Sequence, residues 1–87
     1  MVHLSLEDIE FIKILATSDA TTLQIGMNDA TKRRLDERVG VILREYYHEN
    51  TMNINTGWTK EFLKYGITED YGKSAIACAR RLGIDIS

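Results

Sequence analysis

The sequence predicts an all-α fold, a small bundle or orthogonal array of about four helices forming one domain over residues 1–87. Three observations lead there. Apolar residues recur at steps of three and four through residues 6–16 and 29–48. Capping residues precede these runs and glycines close the two later helices, in a chain with no proline to break a helix. No stretch sustains the period-two alternation of a half-buried strand.

The first helix is expected over residues 6–16. Ser5 is a good N-cap, Asp8 stands three residues on as a capping-box partner, and Glu7 and Asp8 suit the positive end of the helix dipole. Glu7, Glu10, Lys13 and Thr17 mark a narrow polar side. Ile9, Phe11, Ile12, Ile14 and Leu15 make the apolar arc wide, which predicts a largely buried helix. Residues 17–27 admit two readings: a short helical turn capped by Ser18 or Asp19, or a brief extended piece over 21–25, ended by Gly26.

Asn28 caps the second predicted helix, residues 29–48. Leu35, Val39, Ile42 and Tyr46 form its seam, with Leu43 and Tyr47 beside it. Gly40 interrupts the seam at a cost in helix propensity, and predicts the close approach of another backbone. A polar connector follows over 48–56. Thr56 or Gly57 opens a short third helix, where Trp58 and Phe62 share a face next to Leu63 and Tyr65, and Gly66 supplies a left-handed C-terminal cap. Thr68 caps the fourth helix, with Ala75, Cys78, Ala79 and Leu82 facing inward. Gly83 closes it, and Ile84 is placed to fold back in a Schellman contact. Ala75 and Ala79 offer a flat surface for close helix packing.

Eighty-seven residues suffice for one small domain, and 44% hydrophobic with 28% charged residues is ordinary globular composition. No run approaches the length of a membrane span, and the N-terminus carries acids where a signal peptide needs bases, which predicts an intracellular protein. The net charge of −2 argues against general nucleic-acid binding, which normally draws on a basic excess. Cys78, the single cysteine, reads as a small buried hydrophobe in an alanine-rich run, with a nucleophile as the rival reading. His3 and His48 are far apart and no second cysteine exists, so no metal site is expected. Calcium loops, phosphate loops and nucleophile elbows are absent, which predicts a chain without cofactor or catalytic set.

The most suggestive stretch is TKRRLDER, residues 31–38. Lys32 can pair with Asp36 and Arg33 with Glu37 along a helix surface. Arg34 and Arg38 have no acid four residues toward the C-terminus and are expected to stay freer. A solvated helix face accounts for the stretch, yet its cations sit near a helix N-terminus, where the dipole disfavours them. A phosphate-binding patch is therefore the competing reading. It would use Arg33, Arg34, Arg38 and Arg44, extended by Lys60, Lys64, Lys73, Arg80 and Arg81. Among the aromatics, Tyr47 and Trp58 are expected to be partly buried and to serve as anchors at a protein interface.

The runs LSLEDIEFIKIL, MNDATKRRLDERVGVILREYYHE and WTKEFL, within residues 4–63, resemble the helical C-terminal part of the RecO recombination-mediator family. In that family a short helix leads to a long helix of the pattern L-x-x-x-(L/V)-x-x-x-(L/Y)-x-x-Y-(Y/H), then to a basic segment ending in (F/R)-F-L. Leu35, Val39, Tyr46 and Tyr47 match the long helix, and Glu61-Phe62-Leu63 match the end. The family's OB-fold and zinc-type cysteines have no counterpart in this sequence, nor do residues 66–87 have one in the family. Asn55-Thr56-Gly57 stands where the family carries a Lys-Ser pair. The resemblance implies contacts to recombination proteins and to single-stranded DNA through the basic side of the long helix.

The leading expectation is a small non-enzymatic protein that docks on a larger protein as an accessory, adaptor or inhibitor, of the kind phages and mobile elements encode. The second is a nucleic-acid-associated protein using the four arginines. The third is a self-associating module, a homodimer sharing the Leu35–Tyr46 seam between two chains.

Overall fold

A computed structural model describes residues 3–51 and 57–86. Five helices form among the described residues. Helix α1 is Leu6–Thr17 and α2 is Ala20–Gly26. Helix α3 is continuous through Asp29–Arg34, a π turn at Leu35–Val39, and Gly40–Thr51. Helix α4 is Gly57–Lys64 and α5 is Glu69–Arg81. The all-α prediction holds, and no strand occurs among the described residues. The count exceeds the expected four because residues 20–26 take the helical of the two readings. Asp19 is the reason: its carboxylate accepts from the Thr22 backbone N–H at 3.1 Å.

The predicted caps form. Ser5 and Asp8 make a reciprocal capping box, Asn28 accepts from Thr31 N, and Thr68 accepts from Tyr71 N. Gly66 adopts φ 80° and Gly83 φ 92°, the left-handed conformation that favours glycine at helix ends. At the end of α5, Ile84 N–H donates to Ala79 O and Gly83 N–H to Arg80 O, each at 3.0 Å, which is the Schellman pair.

Helix α1 lies against α5 in the most extensive interhelical contact. Ile9, Ile12 and Leu15 are buried from one side and Ala75, Ile76 and Ala79 from the other. Helix α3 contributes Leu35, Val39, Ile42, Leu43 and Tyr46 to the same core, and Phe62 of α4 stacks on Tyr46 with centroids 4.4 Å apart. Leu4 and Ile86, near the two ends of the described chain, are both buried.

Several expectations need correction. Helix α1 is buried along one side only, since Leu6 is 75% and Ile14 47% exposed. Phe62 stacks on Tyr46, a partner that the spacing within α4 does not predict. The Leu35–Tyr46 seam is buried within a single chain, so it offers no surface for a second copy to share. What approaches Gly40 is a side chain: a Cβ there would lie 2.8 Å from Ile84 Cγ2 and 3.0 Å from the Leu35 carbonyl. Thr56 and most of the 48–56 connector lie outside the described residues; within it, residues 48–51 are the last turn of α3.

The π turn was not legible from periodicity. Its signature bond runs from Gly40 N–H to Leu35 O, five residues back. Residues four apart on an α-helix are rotated by about 40°. The wider π turn removes much of that offset, so Leu35 and Val39 both reach the core while Arg34 and Arg38 both reach α1.

Candidate functional site

The structure distributes the basic stretch over different surroundings. Asp8, in the first turn of α1, is fully buried. It accepts from Arg34 Nη2 at 3.0 Å and from Arg38 Nε at 2.9 and 2.8 Å through its two oxygens, besides its capping bond from Ser5 N. Arg34 also lies 2.9 Å from Glu7. Burial pushes the Asp8 carboxyl up, but hydrogen bonding from Ser5 and the Arg38 guanidinium outweigh it and hold the group below its ordinary range. The expectation that Arg34 and Arg38 stay free is thus corrected. They are cations near a helix N-terminus because a buried acid on another helix requires them there.

The remaining arginines diverge. Arg33 is exposed. Arg44 lines a surface cavity of 230 Å³ together with Asp36 and Asp85. Neither Lys32–Asp36 nor Arg33–Glu37 closes to ion-pair distance; ion pairs beyond the Asp8 cluster include Lys64–Glu61 and Lys73–Glu69. Of the four arginines, Arg34 and Arg38 are thus engaged by Asp8 and Arg44 lines a cavity with two acids.

Tyr47 and Trp58 are both half-buried, as expected, but they stand apart. The indole N–H of Trp58 donates to Glu45 at 2.6 Å, and its backbone N–H donates to Glu49. Tyr47 lies two residues on from Glu45, about 200° round the helix, and faces α5. Trp58 is therefore occupied in holding α4 to α3.

Tyr47 lines a groove of 390 Å³ between the C-terminal half of α3 and helix α5. Its floor is Ile76 and Ala77, and Lys73 and Arg80 flank it. The Arg80 guanidinium lies 4.6 Å from the centre of the Tyr47 ring, a cation–π contact. The arginine holds the phenol below its ordinary value. Lys73 is bound to Glu69 at 3.0 Å, whereas Arg80 forms no ion pair among the described residues. The sequence placed Arg80 only as an extension of a basic patch. Its uncompensated position was readable, since Ile76 and Ile84 stand four residues to either side, but its contact with Tyr47 was not.

The other candidates carry no site. Cys78 is buried, its thiol pushed up by burial and donating weakly to Ser18 O at 3.8 Å, which suits a packed hydrophobe better than a nucleophile. Among the described residues no group of three potential ligands could hold a metal ion. No helix among them is long and apolar enough to cross a membrane.

No family model, curated protein or solved structure matches the chain.

Proposed function

We propose that this chain is a non-catalytic docking module that binds a larger protein through the groove between α3 and α5. One observation carries the reading: a 390 Å³ concavity with an apolar floor, edged by a half-buried tyrosine and an arginine that has no acidic partner among the described residues. Tyrosine and arginine are the residue types most often found at interface hot spots, and a groove between two helices is a common receptor for a peptide segment. Two of the four candidate arginines are engaged by Asp8 and a third lines a cavity with two acids, which weighs against a phosphate-binding face. The resemblance of residues 4–63 to the RecO family makes recombination proteins the first partners to try.

The test is a groove-blocking substitution. Ala77 is exposed within the groove, so Ala77→Trp fills it without entering the core. A partner captured by the wild-type chain, then purified and re-bound in isolation, should lose affinity at least tenfold for Ala77→Trp while the variant's circular dichroism melt matches wild type. Equal binding by both would overturn the reading. So would salt-sensitive oligonucleotide binding that is lost on charge reversal at Arg33 and Arg44.

A further inference from the structure

We infer that the occupant of this groove is an acidic peptide segment, with a carboxylate on Arg80 and an apolar side chain against Ile76; the inference rests on the docking reading above. The charges on the groove walls make the choice. Lys73 is neutralised by Glu69 one turn before it, at 3.0 Å. The Arg80 guanidinium carbon lies 4.6 Å from the centre of the Tyr47 ring and the group hydrogen-bonds the phenol, while no carboxylate among the described residues pairs with its remaining N–H donors. A guanidinium with donors left over accepts a carboxylate in charge-assisted hydrogen bonds, and its contacts to Tyr47 hold it in place before the ligand arrives.

The groove is also polar along its length. Glu69 stands at one end and Arg80 at the other, 11 residues apart on α5. That spacing is about 16 Å along a helix axis. The Glu69–Lys73 pair leaves that end without net charge to offer an acid, whereas Arg80 offers a whole one, so the segment binds with its acid at the Arg80 end. Ile76 lies one helical turn from Arg80, about 6 Å along the axis, and is the apolar floor between the two ends. A volume of 390 Å³ is near the lower end of ligand pockets and suits a few side chains of a peptide. The chain's net charge of −2 adds a constraint. Its overall field does not gather polyanions, so the acid must be recognised at short range, by the guanidinium itself.

The experiment is selection of a displayed library of random twelve-residue peptides on the wild-type chain, with counter-selection on Ala77→Trp. The survivors, labelled, are then titrated by fluorescence anisotropy. Expected are sequences enriched in Asp or Glu at a fixed spacing from Leu, Ile, Phe or Met. Their affinity should fall at least tenfold on Arg80→Ala, less on Arg80→Lys, and less than threefold on Lys73→Ala. Replacing the peptide's acid by its amide should reproduce the Arg80→Ala loss. All three substituted residues are exposed, and each variant's melt is compared with wild type first. Groove-dependent peptides without acid enrichment, or indifferent to Arg80, would overturn the inference and leave the docking reading standing. If no groove-dependent peptide emerges, the inference fails. A protein partner lost on Ala77→Trp would then still support the docking reading, and equal binding by wild type and Ala77→Trp would end both.

Discussion

Asp8 and Arg38 are 30 residues apart in sequence, and Arg38 Nε donates to both oxygens of the Asp8 carboxylate, at 2.9 and 2.8 Å. Asp8 has no solvent exposure, so its charge is stabilised by its bonds alone. Asp8→Asn keeps the shape of the side chain and removes the charge. It is expected to cost about 2–4 kcal/mol and lower Tm by roughly 10–20 °C, because two arginines lose the partner they converge on. Arg38→Gln should cost less, about 1 kcal/mol, since Arg34 remains and the Arg38 side chain is 47% exposed. Thermal melts of the two variants check the order. Arg38→Gln proving the more damaging would show that Asp8 is not the centre of the cluster.

The same carboxylate sets a pH dependence. Its value in the folded chain lies below the ordinary 3.8, so the unfolded chain takes up the proton first as pH falls. The stabilisation is complete above pH 3.8 and is lost as pH drops toward and through the lower folded value. Wild type and Asp8→Asn should therefore differ most in Tm near neutrality and converge below about pH 4. A gap that stays constant down to pH 2 would contradict the assignment.

The elements that were legible in the sequence are the ones fixed locally. Ser5 with Asp8, Asn28, Thr68, Gly66 and Gly83 each act within four residues of their own position, and each was placed correctly. What stayed hidden depends on distant partners. Arg34 and Arg38 looked free because their acid is on another helix, 26 and 30 residues away. Gly40 looked like a site of backbone approach because Ile84 is brought there only by the turn after α5. The groove is hidden for the same reason: Tyr47 and Arg80 meet only once α3 and α5 have packed.

Gly72 and Gly26 give opposite predictions from one substitution. Both are helical, and helix propensity alone favours alanine at each by up to about 1 kcal/mol. A Cβ on Gly72 would lie 2.6–2.8 Å from the Tyr46 ring, which is buried and stacked on Phe62. That ring has nowhere to retreat, so Gly72→Ala should destabilise by about 1–3 kcal/mol. A Cβ on Gly26 meets nothing within 4 Å, so Gly26→Ala, at the end of α2, should stabilise by about 0.5 kcal/mol. Denaturant midpoints measure both. A stabilising Gly72→Ala would mean that α3 and α5 are less tightly packed than described.

Cys78 should be protected in the folded chain. It is buried on α5 with its thiol toward the Ser18 carbonyl, and burial raises the thiol above the ordinary 9.0. Little thiolate exists at pH 8, and what exists is shielded. Labelling by a disulfide reagent should be slower than in denaturant by more than about a hundredfold, and limited by opening of the fold. Fast native labelling would imply that α5 opens independently of the rest.

Glu49 caps a helix to which it does not belong. Its two carboxylate oxygens accept from Trp58 N at 3.1 Å and Thr59 N at 3.0 Å, and one also accepts from the Thr59 hydroxyl at 3.2 Å. The first turn of α4 thus receives a carboxylate at its positive end from α3. Sequence reasoning assigned the start of this helix to Thr56 or Gly57; the described cap comes from eight residues before Gly57. Glu49→Ala should cost about 1–2 kcal/mol, the range of a lost N-cap, and Glu49→Gln less, because one acceptor survives. Trp58 is the only tryptophan, so its emission reports on this junction directly. Glu45→Gln is the control: it alters the bond to the indole N–H and should shift emission while changing stability by less than about 0.5 kcal/mol. If Glu49→Ala melts with wild type while Glu45→Gln does not, the junction is held by the indole rather than by the cap.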